Sequence, residues 1–306
     1  MWLTIALIGY AGMAVVSILD KFIISNEKVL PSVFVYYSTI YLLPLNFGLF
    51  IIPVLPTFRL EMISIFSAIT FTLGLWTMYR AMQKSEISHI GPFIGGLIPL
   101  IILILSQFFL TENISPIQLA GILLLSLGTF VISFQDIGSD WKSGVMWAVA
   151  SVLSFSMSHV ASKYVYDQIG FSTGLVLIWG FMGVIGVLLL IFVMPVREIV
   201  FPRKNIISHL ADKFAAHKKK NKSLALVVAD KSLSAVGIFM IQYSVSLGSV
   251  TKVYALAGVQ YGLLVVLVAL LTKFAPKYFN ESYEEGEMKK ELIAVGIIAL
   301  GLALLV

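Results

Sequence analysis

The sequence predicts an all-helical membrane protein of ten transmembrane helices, arranged as two inverted repeats of five. Three observations lead there. The 306-residue chain contains ten stretches without a charged residue, most of them close to the roughly 20 residues that cross a bilayer. Hydrophobic residues make up 59% of the chain and charged residues 12%, about half the charged share of a soluble domain. The last five stretches also resemble the first five.

Span one, residues 2–19, carries Tyr10, Ala14 and Ser17 on one helical face that continues to Lys21, with Asp20 beside the lysine. No basic segment precedes its apolar run, so it is expected to be a retained span rather than a cleaved signal. Span two covers 29–58. Span three, 62–79, sets Trp76 one turn before Arg80, a pair that suits a planar or anionic ligand and equally an interfacial anchor. Span four, 90–111, contains Gly91, Pro92, Gly95, Gly96 and Pro99. Proline lacks a backbone donor, so this helix is expected to bend or unwind locally, or to pack closely through its small residues. Span five, 113–135, holds Gly121 and Gly128, assigned to packing.

Span six, 143–162, repeats the polar face of span one with Ser156 and His159, continuing to Lys163. Span seven, 168–196, has Gly180, Gly183 and Gly186, again assigned to packing. Span eight, 232–251, carries Gln242 with Tyr243 beside it. Span nine, 253–272, carries Gly258, Gln260, Tyr261 and Gly262, and span ten runs 292–306.

Two alignments relate the halves. Lys21 and Lys163 close spans one and six at a separation of 142 (163 − 21), whereas 93–111 aligns with 255–273 at a separation of 162 (255 − 93), which also pairs Arg80 with Gln242. The difference matches a polar insertion between spans seven and eight. A unit of five spans is odd, so its copy enters the membrane from the opposite face. Such inverted repeats are the symmetry of many secondary transporters, whose substrate sits near the midplane between them.

The run GPFIGGLIPLIILILSQFFLTENISPIQLAGILLLSLGTFVIS, with Ala81 upstream, resembles the third to fifth helices of an EamA repeat. A proline-interrupted fourth helix, a corner at Leu110, Thr111 and Glu112, and a glycine-rich fifth helix carry the likeness. The first helix has Gly9 and Tyr10 where the family has a tryptophan and glycine pair, and the second copy has no acidic corner residue. The resemblance implies the drug/metabolite transporter superfamily, and its ten-helix fold from an EamA-like repeat at 1–137 and a second at 138–306. It also implies a permease rather than an enzyme.

Eighteen of the 21 Lys and Arg residues fall on one side of the ten-span topology. The positive-inside rule therefore places both termini outside the cytoplasm, whereas the resemblance implies cytoplasmic termini. Loop 197–223 holds many of these cations, and Ile206, Ile207, Leu210 and Phe214 recur in it at helical spacing. It is expected either to lie on an anionic leaflet or to be a solvated loop that fixes topology. The basic balance therefore points to membrane lipids rather than nucleic acid.

Polar residues within spans are default site candidates because burying them in lipid is costly. They are Lys21, Trp76, Arg80, His159, Lys163, Gln242, Tyr243, Gln260 and Tyr261, with Pro92, Gly96 and Pro99 at the expected helix interruption. A site edged by Lys21, Lys163 and Arg80 favours an anionic, zwitterionic or neutral metabolite over a cation, although snorkelling also explains a terminal lysine. No carboxylate lies deep in a span. The four histidines form no HExxH, there are no cysteines, and GxSxG and phosphate-loop patterns are missing, so no catalytic residue, metal or cofactor is expected. The expected function is secondary transport of a small metabolite across the cytoplasmic membrane, by a monomer, through alternating access. A flippase of a lipid-linked intermediate is the alternative, followed distantly by a membrane-embedded enzyme.

Overall fold

A computed structural model describes residues 1–24, 30–50, 56–84, 87–133, 141–201, 221–274 and 287–306. These residues are helical almost throughout. In order they form α1 (Trp2–Ile24), α2 (Pro31–Ile40), a 3₁₀ segment (Leu43–Phe50), α3 (Phe58–Lys84), α4 (Ile87–Phe109), α5 (Pro116–Ser133) and α6 (Trp141–Ile169). Then come α7 (Phe171–Phe192), α8 (Met194–Val200), α9 (Asn221–Leu247), α10 (Val250–Ala255), α11 (Ala257–Phe274) and α12 (Glu287–Leu305).

Among the described residues, 7 helical stretches are long and apolar enough to cross a membrane, α10 and α11 counting together. The other three expected spans fall short for separate reasons. Span two divides into a 10-residue helix and a 3₁₀ segment. Span eight offers the shorter apolar stretch Ser232–Leu247 within α9. Span ten, 292–306, lies in α12, which opens with a charged turn, Glu287 to Glu291, ahead of the span's apolar residues. Most of the basic loop, including its amphipathic segment, lies outside the described residues.

The bundle is turned inside out relative to a soluble one. On α3, Met62, Phe66, Ile69 and Leu73 face outward at spacings of three and four, while Ser64, Ser67, Ala68 and Gly74 are buried. The most apolar side chains thus meet the surroundings and small ones meet neighbouring helices, the arrangement that lipid requires. Several buried hydroxyls are satisfied within their own helix: Ser64 donates to Leu60 O and Thr72 to Ala68 O, each at 2.8 Å.

Helix pairing is extensive for α3 with α6, α5 with α12, and α1 with α9; the α2 and 3₁₀ segment lies along α7. Glycines permit these approaches. A Cβ on Gly183 would stand 2.5 Å from the Leu43 backbone, and one on Gly121 2.8 Å from Gly301 O. Between α3 and α6, Ser67 Oγ meets Ser158 Oγ at 3.1 Å and Ser162 Oγ at 2.8 Å. Gly170, at φ 80°, is the single residue between α6 and α7, a backbone position that a side chain would strain.

Candidate functional site

A chain of buried polar side chains joins three helices of the second half. Two turns apart on α6 stand His159 and Tyr166; α9 contributes Gln242 and α10 contributes Tyr254. Their exposures are 6%, 4%, 5% and 8%. Tyr166 donates its hydroxyl proton to Gln242 Oε1 at 3.4 Å, and Gln242 Nε2 donates to Tyr254 Oη at 3.4 Å. Tyr254 Oη lies 2.7 Å from His159 Nδ1, and the two rings overlap at 3.9 Å between centroids. Phe155 and Phe71 close the other sides of the imidazole.

The chain lies beside a helix break. α10 ends at Ala255 and α11 starts at Ala257; between them Leu256 N–H donates to Val253 O at 3.2 Å and Val259 N–H to Leu256 O at 2.9 Å. These three-residue steps tighten the turn next to Tyr254. Beyond the break, Tyr261 donates to Gly91 O at 2.8 Å, and Gln260 Nε2 approaches Ser17 Oγ at 3.4 Å. Tyr10, on α1, is 3% exposed, and its hydroxyl finds no hydrogen-bond partner among the described residues. A buried donor without a partner costs about 1–3 kcal/mol, which makes Tyr10 a candidate to meet a polar group.

The remaining sequence candidates fall elsewhere. Lys163 Nζ pairs with Asp167 Oδ1 at 2.8 Å, one turn along its own helix. Arg80 Cζ stands 5.4 Å over the Trp76 ring, whose centroid is 5.4 Å from that of Trp147 edge-on. The Tyr243 ring packs on Phe171 at 5.0 Å, away from its neighbour Gln242. The side chain of Lys21 lies outside the described residues.

α4 differs from the expectation of an interrupted helix. It runs unbroken from Ile87 to Phe109 through both Pro92 and Pro99, and the discontinuity falls instead at Leu256 in its counterpart. Its small residues serve packing: a Cβ on Gly96 would meet Ser126 O at 3.2 Å, and one on Gly95 would overlap the Tyr261 ring. Gly95→Ala is therefore expected to push Tyr261 off Gly91 O at a cost of about 1 kcal/mol, read as a lower thermal midpoint. Tyr261→Phe, which gives up the same bond without the clash, should lose less.

Three contributors escaped the sequence reading. Tyr254 and Tyr166 sit close to the ends of expected spans, where tyrosine is ordinarily an interfacial anchor. Glu112, read only as part of the corner after α4, accepts hydrogen bonds from Val250 N–H and Thr251 Oγ1, both at 2.6 Å, and so caps α10.

Comparison with known proteins adds the family. Residues 1–134 match the model of the EamA-like transporter family. A solved structure described only as "Crystal structure of protein" shares 15% identity with this chain at a TM-score of 0.63, over 98% of this chain and 95% of that one. At that identity the likeness is one of fold. Comparison with curated proteins returns no match. The matched part, residues 1–134 of a multi-pass helical chain, is thus similar to the EamA-like transporter family, of the drug/metabolite transporter superfamily.

Proposed function

We propose that the protein is a secondary transporter of a small metabolite in the cytoplasmic membrane, working as a monomer by alternating access between two inverted five-span repeats, 1–137 and 138–306. Helix crossings between the halves that map onto one another support the duplication. Where α5 crosses α12, a Cβ on Gly128 would meet Ile298 and Ala294 O, and one on Gly301 would meet Leu125 and Gly121 O. Each counterpart pair is separated by the same 173 positions (301 − 128, 298 − 125, 294 − 121). Likewise Gly74 on α3 faces Phe155 on α6, as Gly237 on α9 faces Met13 on α1, and Phe155 follows Met13 by the 142 positions of the lysine alignment.

The observation that carries the transport reading is the buried polar chain Tyr166–Gln242–Tyr254–His159 beside the break at Leu256. In the other half, the Tyr10 hydroxyl is buried without a hydrogen-bond partner among the described residues. Polar groups inside a lipid-facing bundle, next to a discontinuous helix, mark substrate pathways. Its groups are uncharged donors and acceptors apart from the imidazole, and the charged candidates Lys163 and Arg80 are engaged elsewhere. That suits a neutral or zwitterionic metabolite, or an anion meeting a charged imidazole, better than an organic cation. The Lys and Arg bias of the loops supports termini outside the cytoplasm.

A thermal-stabilisation screen of the purified protein against amino acids, nucleotides, sugar phosphates and amphiphiles tests the reading, with hits taken to counterflow in liposomes. Gln242→Ala and Tyr10→Phe are each expected to weaken a hit about tenfold, the worth of one hydrogen bond near 1.4 kcal/mol. Hits whose affinity is untouched by both substitutions, or hits restricted to organic cations, refute the assignment.

A further inference from the structure

The outward stripe of α3 ends on a cation. Met62, Phe66, Ile69 and Leu73 repeat at spacings of three and four, and the next steps of that spacing reach Trp76 and Arg80. α6, packed along α3, has an outward stripe of its own in Met146, Val149, Leu153 and Met157. Trp147, next to the 81%-exposed Met146, meets Trp76 edge-on at 5.4 Å, so the two stripes come together at this level. Arg80 stands one turn beyond Trp76 and four residues before α3 ends at Lys84, about 6 Å along the helix axis.

The guanidinium at that junction is only half engaged. One face covers the Trp76 ring, with Cζ 5.4 Å from the centroid. Its Nε is buried without a hydrogen-bond partner among the described residues, and no described carboxylate pairs with the group. The acidic residue of α3, Glu61, lies at the opposite end of the helix. A half-buried charge with open donors is costly until an anion meets them, and the planar fork fits two oxygens of a phosphate or carboxylate. Three placements favour a phosphate that belongs to the membrane. The group lies on the lipid-facing stripe rather than beside the polar chain of α6, α9 and α10. It stands a single turn from the helix end, within reach of headgroups. This end of α3 also belongs to the side that carries eighteen of the 21 Lys and Arg residues, the side expected to face the anionic leaflet.

We propose that Arg80, floored by Trp76 and flanked by Trp147, binds the phosphate of an anionic phospholipid whose acyl chain lies along the outward residues of α3 and α6. The headgroup oxygens take the edge of the guanidinium while the indole keeps its face. A soluble phosphate has the same chemistry, and the test separates the two sources. The assignment needs only that the bundle stands in lipid, so it holds or fails apart from the transporter reading.

The chain has no cysteine, so Met146→Cys supplies a single attachment point for a fluorophore beside the site. The full chain would be reconstituted in phosphatidylcholine vesicles containing increasing fractions of phosphatidylglycerol or phosphatidylcholine spin-labelled just below the headgroup, which quenches the fluorophore on contact. With Arg80 in place, half-quenching is expected at a fraction of phosphatidylglycerol about tenfold lower than of phosphatidylcholine, as a two-pronged charge-assisted contact implies. Arg80→Gln removes the charge and leaves the basic loop as it was, so the ratio should fall to about twofold. Arg80→Lys, should Arg80→Gln fail to fold, provides the independent arm: it keeps a point charge without the fork or the stacked plane and should fall between. Equal quenching by the two lipids with Arg80 in place, a preference undiminished in Arg80→Gln, or an Arg80→Lys profile identical to that of arginine overturns the proposal. Inorganic phosphate, compared with chloride at matched ionic strength, is expected to leave the quenching unchanged. If it relieves the quenching as far as Arg80→Gln does, the site takes a soluble oxyanion and the lipid assignment fails.

Discussion

Adding one methyl group at Gly128 or at Gly301 is expected to destabilise the bundle by about 1–3 kcal/mol, and by nearly equal amounts at the two sites. At Gly128 the new Cβ would lie 2.6 Å from Ile298 Cγ1, 3.0 Å from Ala294 O and 3.2 Å from Ile298 N. At Gly301 it would lie 2.8 Å from Leu125 N, 3.0 Å from Gly121 O and 3.0 Å from Leu125 Cγ. Backbone atoms stand in the way at both, so no change of rotamer relieves the overlap and α5 must part from α12. In lipid this matters more than in water, because close packing rather than apolar burial holds helices together. If the crossing is two-fold, Gly128→Ala and Gly301→Ala should lower the thermal midpoint alike. The double variant should lose less than the two losses combined, since a separation that accommodates one methyl accommodates the other. Tryptophan fluorescence melting in detergent measures all three. Tolerance of one substitution with collapse under the other would sink the two-fold reading of this crossing.

The parts of this architecture that the sequence displayed are those in which one residue type answers to one constraint. Charge-free lengths report bilayer width, and 7 stretches among the described residues match it. The 142-position offset between Lys21 and Lys163 also relates Met13 to Phe155, which occupy matching places against Gly237 and Gly74. His159 and Gln242 stood out because a polar side chain deep in an apolar run has few innocent explanations. Tyr254 did not, because its role depends on the break at Leu256, and no proline or glycine occupies that position. The two prolines of α4 pointed to the other half, where the helix continues through them. Lys163 shows the reverse case: Asp167, four residues on, was in plain view as its ion-pair partner, and helical spacing alone brings them together. Arg80 stacks on Trp76, one turn before it, rather than on a ligand, and the edge-on contact of that indole with Trp147 is tertiary and has no trace in local sequence.

The largest single-residue effect outside the packing glycines is expected at Glu112. Its carboxylate takes the Val250 N–H on one oxygen and the Thr251 hydroxyl on the other, each at 2.6 Å. Ser249 Oγ accepts from Lys252 N–H at 3.2 Å in the same turn. The first amides of a helix lack intrahelical partners and carry the positive end of its dipole, so an anion there is stabilising on both counts. Charge-assisted hydrogen bonds contribute about 1.5–3 kcal/mol each and two on one group are not additive, so Glu112→Ala should cost about 2–4 kcal/mol. Glu112→Gln keeps an acceptor but gives up the charge and should fall between. A double-mutant cycle of Glu112→Ala with Thr251→Val is expected to return a coupling of about 1–2 kcal/mol, which separates this contact from any general weakening of the corner. The consequence reaches the polar chain because Thr251 stands one turn before Tyr254 on α10. Loosening the cap should therefore weaken a ligand that needs Tyr254 in place as well as lower the melting point. Unchanged melting in Glu112→Ala, or a coupling indistinguishable from zero, would show that the corner after α4 does not hold the second half in position.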